Sequence, residues 1–537
     1  MKRNSLLLLA LILTASLPLF SQEVYENENS EVYNYLARIA QRGLIQFNDN
    51  IRPLSKTYLH ECLDSVATKK EKLTIIEQSE LNFYLQEYSS SSSNKLNNQG
   101  TFRLFSKDNS GRFRSLYASG NNTNLFVDPV MSAKVVEGDH QSYNSTSSGL
   151  HFWGNVGKHI GFQFFYNDVI ESGKGFDTTR AFSAETGIIR KDTSNFKSLN
   201  FTEFRGSVNY AFKNGSVAIG QDHLLYGYGE NGRIILSNKA PNYPFIRIDY
   251  DIFPWLHFNN THAWLSSNIV DSSKTYGTGN VLFGGVREIF VPKFFATHSL
   301  QIKAAKGLDL SVGESIVYSD RLDFGYLIPV MFFKVYDNIV NNSHIQAGSN
   351  SQMFFTFNSR NQIKNTHLYG SLFVDEIRMS TIFVKSKSRN QLGYTLGVNV
   401  ADLPFKNLNL IAEYTRINPF VYNNLIPAQT YTNHNYSLGD WMGNNSDRLL
   451  LAVKYNPISR LKCAVRYQAI RKGSAGTIVD QYLQQPQPDF LFGNLKSSNE
   501  WNVNTNYELL NSLVFNANFS HWNTIGSTWS LGIHYGF

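Results

Sequence analysis

The 537-residue chain is 17% charged, 14% aromatic and 42% hydrophobic, with a formal charge of +7. That weak basic balance is spread along the chain, which excludes a nucleic-acid-binding domain. Two cysteines, Cys62 and Cys463, exclude a disulfide framework and a cysteine-rich metal centre.

Lys2 and Arg3 precede the apolar run Leu6 to Leu13, and Ser21 and Gln22 follow it. This pattern predicts a secretory signal peptide over residues 1–21, since the run is too short to span a bilayer as a helix. Its removal takes away Lys2 and Arg3 and lowers the charge from +7 to +5. No later apolar run is long enough for a transmembrane helix. An exported membrane chain without helices has to be a closed barrel, because only helices and barrels satisfy every backbone group in lipid.

Residues 22–100 read as a periplasmic helical module and linker. Val32, Tyr35, Leu36, Ile39 and Ala40 recur at helical spacing, with Gly43 as a stop. Pro53 and Ser55 introduce a second helix with Leu59, Cys62, Leu63 and Val66 on one face, and Leu81, Tyr84, Leu85 and Tyr88 mark a third. Ser89 to Ser93 with Asn94, Asn97, Asn98 and Gly100 form a polar linker.

Residues 101–537 read as an outer-membrane β-barrel. Segments alternate apolar and polar residues from about position 124 to Phe537. In the last one Trp529, Leu531, Ile533, Tyr535 and Phe537 oppose Ser530, Gly532, His534 and Gly536. Leu449, Leu451, Val453 and Tyr455 likewise face away from Arg448 and Lys454. Eighteen such segments are predicted, an all-β transmembrane barrel of antiparallel strands. Short connections such as 157–159, 213–215 and 306–307 alternate with longer ones at 171–199, 223–242, 267–295, 320–349, 417–446 and 472–499. Barrels of this class place short turns in the periplasm and long loops outside, so the module enters from the periplasmic side.

Glu203, Arg205, Glu413, Arg448, Lys454, Lys462, Arg466 and Glu508 are predicted to point into the lumen as a hydrated, ion-paired interior. Gly227, Gly229 and Gly232 fit a dinucleotide fingerprint in spacing, but Pro241 and the intervening residues do not continue as a helix. Asp222, His223 and Ser237 lie close in sequence without a nucleophile elbow or a zinc-spaced histidine pair. No catalytic residue, cofactor or metal is therefore assigned, and the chain is read as non-enzymatic. The long loops interleave aromatic rings with amides and carboxylates, which suits hydroxyl-rich ligands such as sugars. The candidate polysaccharide-binding residues are Tyr226, Tyr228, Arg233, Asn238, Tyr422, Tyr431, His434 and Trp441.

Several stretches resemble the capsule assembly protein Wzi family: Ile219 to Gln221, Tyr226 to Gly229, Leu236 to Pro241, Phe373 to Glu376, Ala412 to Arg416 with Pro419, Tyr431 to His434, and Leu438-Gly439 leading to Gly443 through Asp447. The resemblance implies an outer-membrane barrel of eighteen strands with a helical bundle on its periplasmic side. It also implies a non-enzymatic role, binding exported capsular or extracellular polysaccharide so that it assembles at the cell surface. The expected partners are that polysaccharide, outer-membrane lipid and an envelope protein met through residues 29–88. The charged lumen keeps a porin or solute channel open as an alternative, and the helical module an envelope interaction scaffold.

Overall fold

Strand alternation closes into a barrel in the computed structural model. It describes residues 24–88, 100–108, 111–120, 123–190, 197–280, 284–341, 348–376, 390–476, 488–510 and 512–536, with 282, 383–384, 478 and 480. The predicted signal peptide, most of the predicted linker, and Phe537 lie outside the described residues. Among the described residues the barrel strands are β1 (Thr123–Gly138), β2 (Ser142–Val156), β3 (Ile160–Lys174), β4 (Ser198–Phe212), β5 (Gly215–Asp222) and β6 (Tyr243–Phe253). They continue as β7 (Leu256–Val270), β8 (Phe290–Ala305), β9 (Leu308–Ser319), β10 (Asn350–Arg360), β11 (Thr366–Glu376) and β12 (Gln391–Ala401). The last six are β13 (Leu408–Ile417), β14 (Ser446–Tyr455), β15 (Leu461–Gly473), β16 (Leu495–Leu510), β17 (Leu513–Trp522) and β18 (Gly526–Tyr535). Each pairs antiparallel with its neighbour, and β18 closes on β1 with Tyr535 opposite Met131 and Thr528 opposite Gly138. A hairpin of Thr101–Lys107 and Phe113–Gly120 pairs with the part of β1 that β18 leaves free, Thr123 to Val127.

Period-two alternation sorts the side chains as expected. Leu449, Leu451, Trp501, Val503, Phe519, Trp529 and Leu531 are exposed on the outer face, where hydrocarbon covers them. Arg448, Glu413 and Gln468 are buried on the inner one. Strand rhythm and parity hold, with one difference at the seam. The long-loop end also carries two tight turns, 139–141 and 523–525, on either side of the closure.

Three helices form from the predicted apolar stripes: α1 (Glu31–Gln41), α2 (Lys56–Ala67) and α3 (Ile75–Tyr88). Ser55 Oγ accepts from the Tyr58 amide at 3.2 Å, capping the start of α2. Val32, Leu36, Ile39, Leu59, Leu63, Val66, Leu81 and Tyr84 pack into one core. Each fully buried apolar side chain contributes about 1.5–3 kcal/mol, so sixty-odd residues hold together only marginally without further docking.

Docking is against the inner wall near the short-turn end. Gln41 Nε2 donates to the carbonyls of Asn365 at 2.9 Å and Asn399 at 2.6 Å. Asn48 Nδ2 reaches Gln301 at 2.8 Å, and Arg247 Nη1 the Pro53 carbonyl at 3.0 Å. Arg38 pairs with Asp402, and Lys462 with Glu80. Gly43 turns the chain at φ +75° where a Cβ would run into the Asn361 side chain, so the stop signal also permits close approach to the 361–365 turn.

One of the long connections that depart from the expected external position runs down the outer wall. Residues 320–341 fold back down the lipid-side wall of β7–β9. Their helix α4 (Phe333–Asn341) starts at Glu314, midway along β9, whose carboxylate accepts from the Phe333 amide at 2.7 Å. Phe333, Tyr326, Tyr318, Ile316, Phe294 and Ala296 form its core. The cause is an outward row interrupted by polar groups, His262, His298 and Glu314. His262 Nε2 meets Tyr318 Oη at 2.7 Å and His298 Nε2 meets Glu314 at 3.2 Å. Bare polar groups would be costly in lipid, and this strap covers them.

Candidate functional site

The inner wall of β12–β17 is unusually rich in amides. Asn502 Nδ2 donates to Asn518 at 3.0 Å, Asn409 Nδ2 to Asn399 at 2.9 Å, and Asn504 and Asn506 continue the row. Side-chain amides both donate and accept, so such a wall offers a hydroxylated ligand partners in either sense.

From the long-loop end, residues 223–242 fold into the lumen rather than away from it. Leu225 and Tyr226 pair antiparallel with Arg52 and Ile51, so loop and helical module meet inside the barrel. The Gly227 amide donates to the Asn50 carbonyl at 2.9 Å. Gly227 sits at φ +82°, with a Cβ placed 2.8 Å from Ser371 Oγ, so the glycine-rich stretch is a turn pressed against the wall. Residues 418–445 pack over it. Tyr422 and Tyr431 stack at 5.4 Å, and their hydroxyls donate to the Ile234 carbonyl at 2.6 Å and the Ile235 carbonyl at 2.7 Å.

This arrangement corrects the placement of the predicted binding residues. Tyr226, Tyr422 and Tyr431 are buried in the lumenal core with Leu224, Ile234, Ile235, Leu236 and Leu438, and present no ring face at an external surface. The physical reason is the apolar run Ile234 to Leu236, which cannot stay in water and draws the neighbouring rings in with it. Tyr228, Arg233, Asn238 and Trp441 converge instead on one lumenal cavity of about 520 Å³. His434 stands apart, half-buried in a small hairpin, and burial pushes its imidazole pKa down.

The cavity is bounded by the loop 228–239, by Asn34, Arg38 and Gln41 of α1, and by the amide wall with Lys454 and Lys462. Trp441 Nε1 donates to the Asn231 carbonyl at 2.6 Å, and Asn231 Nδ2 to Gln468 at 3.0 Å. Arg233 donates to the Gly227 carbonyl, and burial, reinforced by the Arg52 charge, pushes its pKa down to about 10, still charged at neutral pH. Lys454 pairs with Glu230 at 2.5 Å, and the Glu230 amide donates to Glu413 at 2.8 Å. Lumenal charges predicted from alternation are thus spent on holding loop to wall. Ser237 Oγ donates to the Gly439 carbonyl at 2.5 Å, a loop-to-loop tie. The amide row, visible as Asn502, Asn504 and Asn506 in the strand pattern, was the signal for this wall that composition alone did not single out.

No family model and no curated protein matches the chain. Among solved structures, Wzi of Escherichia coli superposes with a TM-score of 0.60 at 12% identity, over 96% of this chain and 100% of that one. It is described as an outer membrane protein involved in group 1 capsule assembly and a carbohydrate-binding β-barrel. The chain has the Wzi fold. OccAB4 of Acinetobacter baumannii and OccK8 (OprE) of Pseudomonas aeruginosa match at a TM-score of 0.43 and 11% identity each. They cover 77% and 76% of this chain, and 98% and 97% of their own. Together with the apolar outer face, the Wzi fold makes this an outer-membrane barrel.

Proposed function

We propose that the protein binds exported capsular or extracellular polysaccharide at the outer membrane and aids its assembly or attachment there, without catalysing a reaction. The observation that carries this reading is the meeting of loop 223–242 with the helical module inside the lumen. A conduit gains nothing from filling its channel from both ends, whereas a scaffold that presents a fixed surface does. Support comes from the amide wall, from Tyr228, Arg233, Asn238 and Trp441 around one cavity, and from fold similarity to a carbohydrate-binding barrel. Rings beside amides match the apolar faces and hydroxyl edges of sugars. Deleting the gene and measuring cell-attached polysaccharide tests the proposal: attachment falls if it holds, and unchanged attachment contradicts it.

A second reading, a solute channel, is favoured by the polar cavities of about 520 Å³ and 480 Å³ beside the helices. Steady conductance of the intact protein in a planar bilayer would support it over the first. An envelope partner docked on residues 29–88 is compatible with either, and co-purification lost on removal of that segment identifies it.

A further inference from the structure

The N-terminal segment lies against the inner wall and reaches the end of β5, where three donor-bearing side chains converge. Glu28 precedes α1, Asp222 ends β5 and His223 opens the loop that enters the barrel. One donor atom from each lies within 4.8 Å of the others. Their exposures are 3%, 5% and 5%, which rules out a solvated acidic patch.

Two further observations bear on what this cluster is for. Neither ring nitrogen of His223 makes a well-formed hydrogen bond, although the ring is buried; Nδ1 faces Glu28 Oε1 at 3.5 Å, and the Ala240 backbone also lies near the ring. Buried imidazoles ordinarily donate from one nitrogen and accept at the other, so this one is under-satisfied. The charge is also unbalanced. Glu28, Asp222 and Glu203 surround a single guanidinium, Arg205, which lies 3.4 Å from Glu28 Oε2 and 3.1 Å from Glu203 Oε1. The nearby pair Glu26–Lys56 at 2.7 Å is self-compensating. Glu203 is partly exposed, so the buried carboxylates are Glu28 and Asp222; they outnumber the one buried guanidinium, and a bound cation would compensate the surplus.

The geometry points to a divalent transition-metal site, bound by Glu28 and Asp222 through oxygen and His223 through Nδ1, that ties the N-terminal segment to the barrel wall. One nitrogen and two oxygens suit Zn²⁺, at about 2.0–2.2 Å from each donor, with water completing the shell. Glu28 keeps its second oxygen on Arg205, an outer partner that orients the ligand. Ions have a way in: the cavity of about 480 Å³ lined by all three residues extends to Ser512 and Gly536 at the short-turn end. Sequence spacing gives no hint of the site, because the third donor arrives from nearly two hundred residues upstream.

The test uses the full-length mature protein in detergent, stripped with a chelator and titrated with ZnCl₂ by calorimetry. Wild type and His521→Ala, which removes an exposed histidine elsewhere, should each bind one equivalent. Asp222→Asn and His223→Ala should weaken binding by more than the roughly 10–100-fold that loss of an outer partner causes. Heat-modifiable gel migration verifies that each variant keeps its barrel. For wild type alone, zinc-edge X-ray absorption should report nitrogen and oxygen neighbours with a single imidazole. Absence of uptake by wild type overturns the proposal. So does uptake unchanged in both variants, or a shell holding sulfur or several imidazoles.

Discussion

At the scale of single residues, Asp49 shows how the helical module is held. Arg360 Nη2 reaches its carboxylate at 2.7 Å from β10 and Arg52 Nη2 at 2.5 Å from its own segment. Burial would raise the Asp49 carboxyl, but the Arg360 and Arg52 guanidiniums outweigh it and hold the pKa well below the usual aspartate range. A carboxyl depressed on docking stabilises the docked state fully above its ordinary value of 3.8 and loses that contribution progressively as the pH falls from there toward the depressed docked value. Module docking should therefore be constant above about pH 5 and weaken below pH 4, read as protease cleavage within residues 24–88. Asp49→Asn leaves two buried guanidiniums without their counter-charge and should cost about 3–5 kcal/mol of docking while the barrel stays folded. Cleavage indistinguishable from wild type would remove the pair from the account.

At the scale of elements, what the sequence revealed and what it hid separate by environment. Strands were legible because lipid and lumen impose opposite preferences on alternate residues, as Trp529 to Tyr535 and Leu449 to Tyr455 show. Helices α1–α3 were legible from their stripes and from Ser55 and Gly43. Loop destinations were not, because a ring such as Tyr422 reads alike in a solvated loop and a packed lumen. Only the apolar Ile234 to Leu236 carried that information. The strap was hidden for a related reason: His262, His298 and Glu314 look like strand irregularities until something is seen to cover them. Its own outer face exposes Val330, Phe332, Val335 and Ile339, continuous with the lipid-facing wall. Val335→Lys should then destabilise the reconstituted protein by about 2–4 kcal/mol, as a cation near the bilayer midplane does. Thr278→Lys, on an exposed loop segment, should change nothing measurable. Equal behaviour of the two would place the strap in water.

At the scale of the whole molecule, a barrel that fills its lumen from both ends should conduct little. Loop and helical module meet where Ile51 and Arg52 pair with Tyr226 and Leu225. Excising residues 225–234, so that the loop no longer pairs with Ile51 and Arg52 or reaches Asn50 and Lys454, should produce conductance in planar bilayers that the intact chain lacks. Equal conductance from both would mean that the loop closes nothing.

The most direct measurement is binding of the purified, detergent-solubilised protein to the extracellular polysaccharide of its own producing strain. Saturable binding, weakened by Trp441→Ala and Tyr228→Ala in a barrel that still folds, is the predicted result. A folded wild-type protein that fails to retain that polysaccharide at any concentration tested would contradict the proposed function.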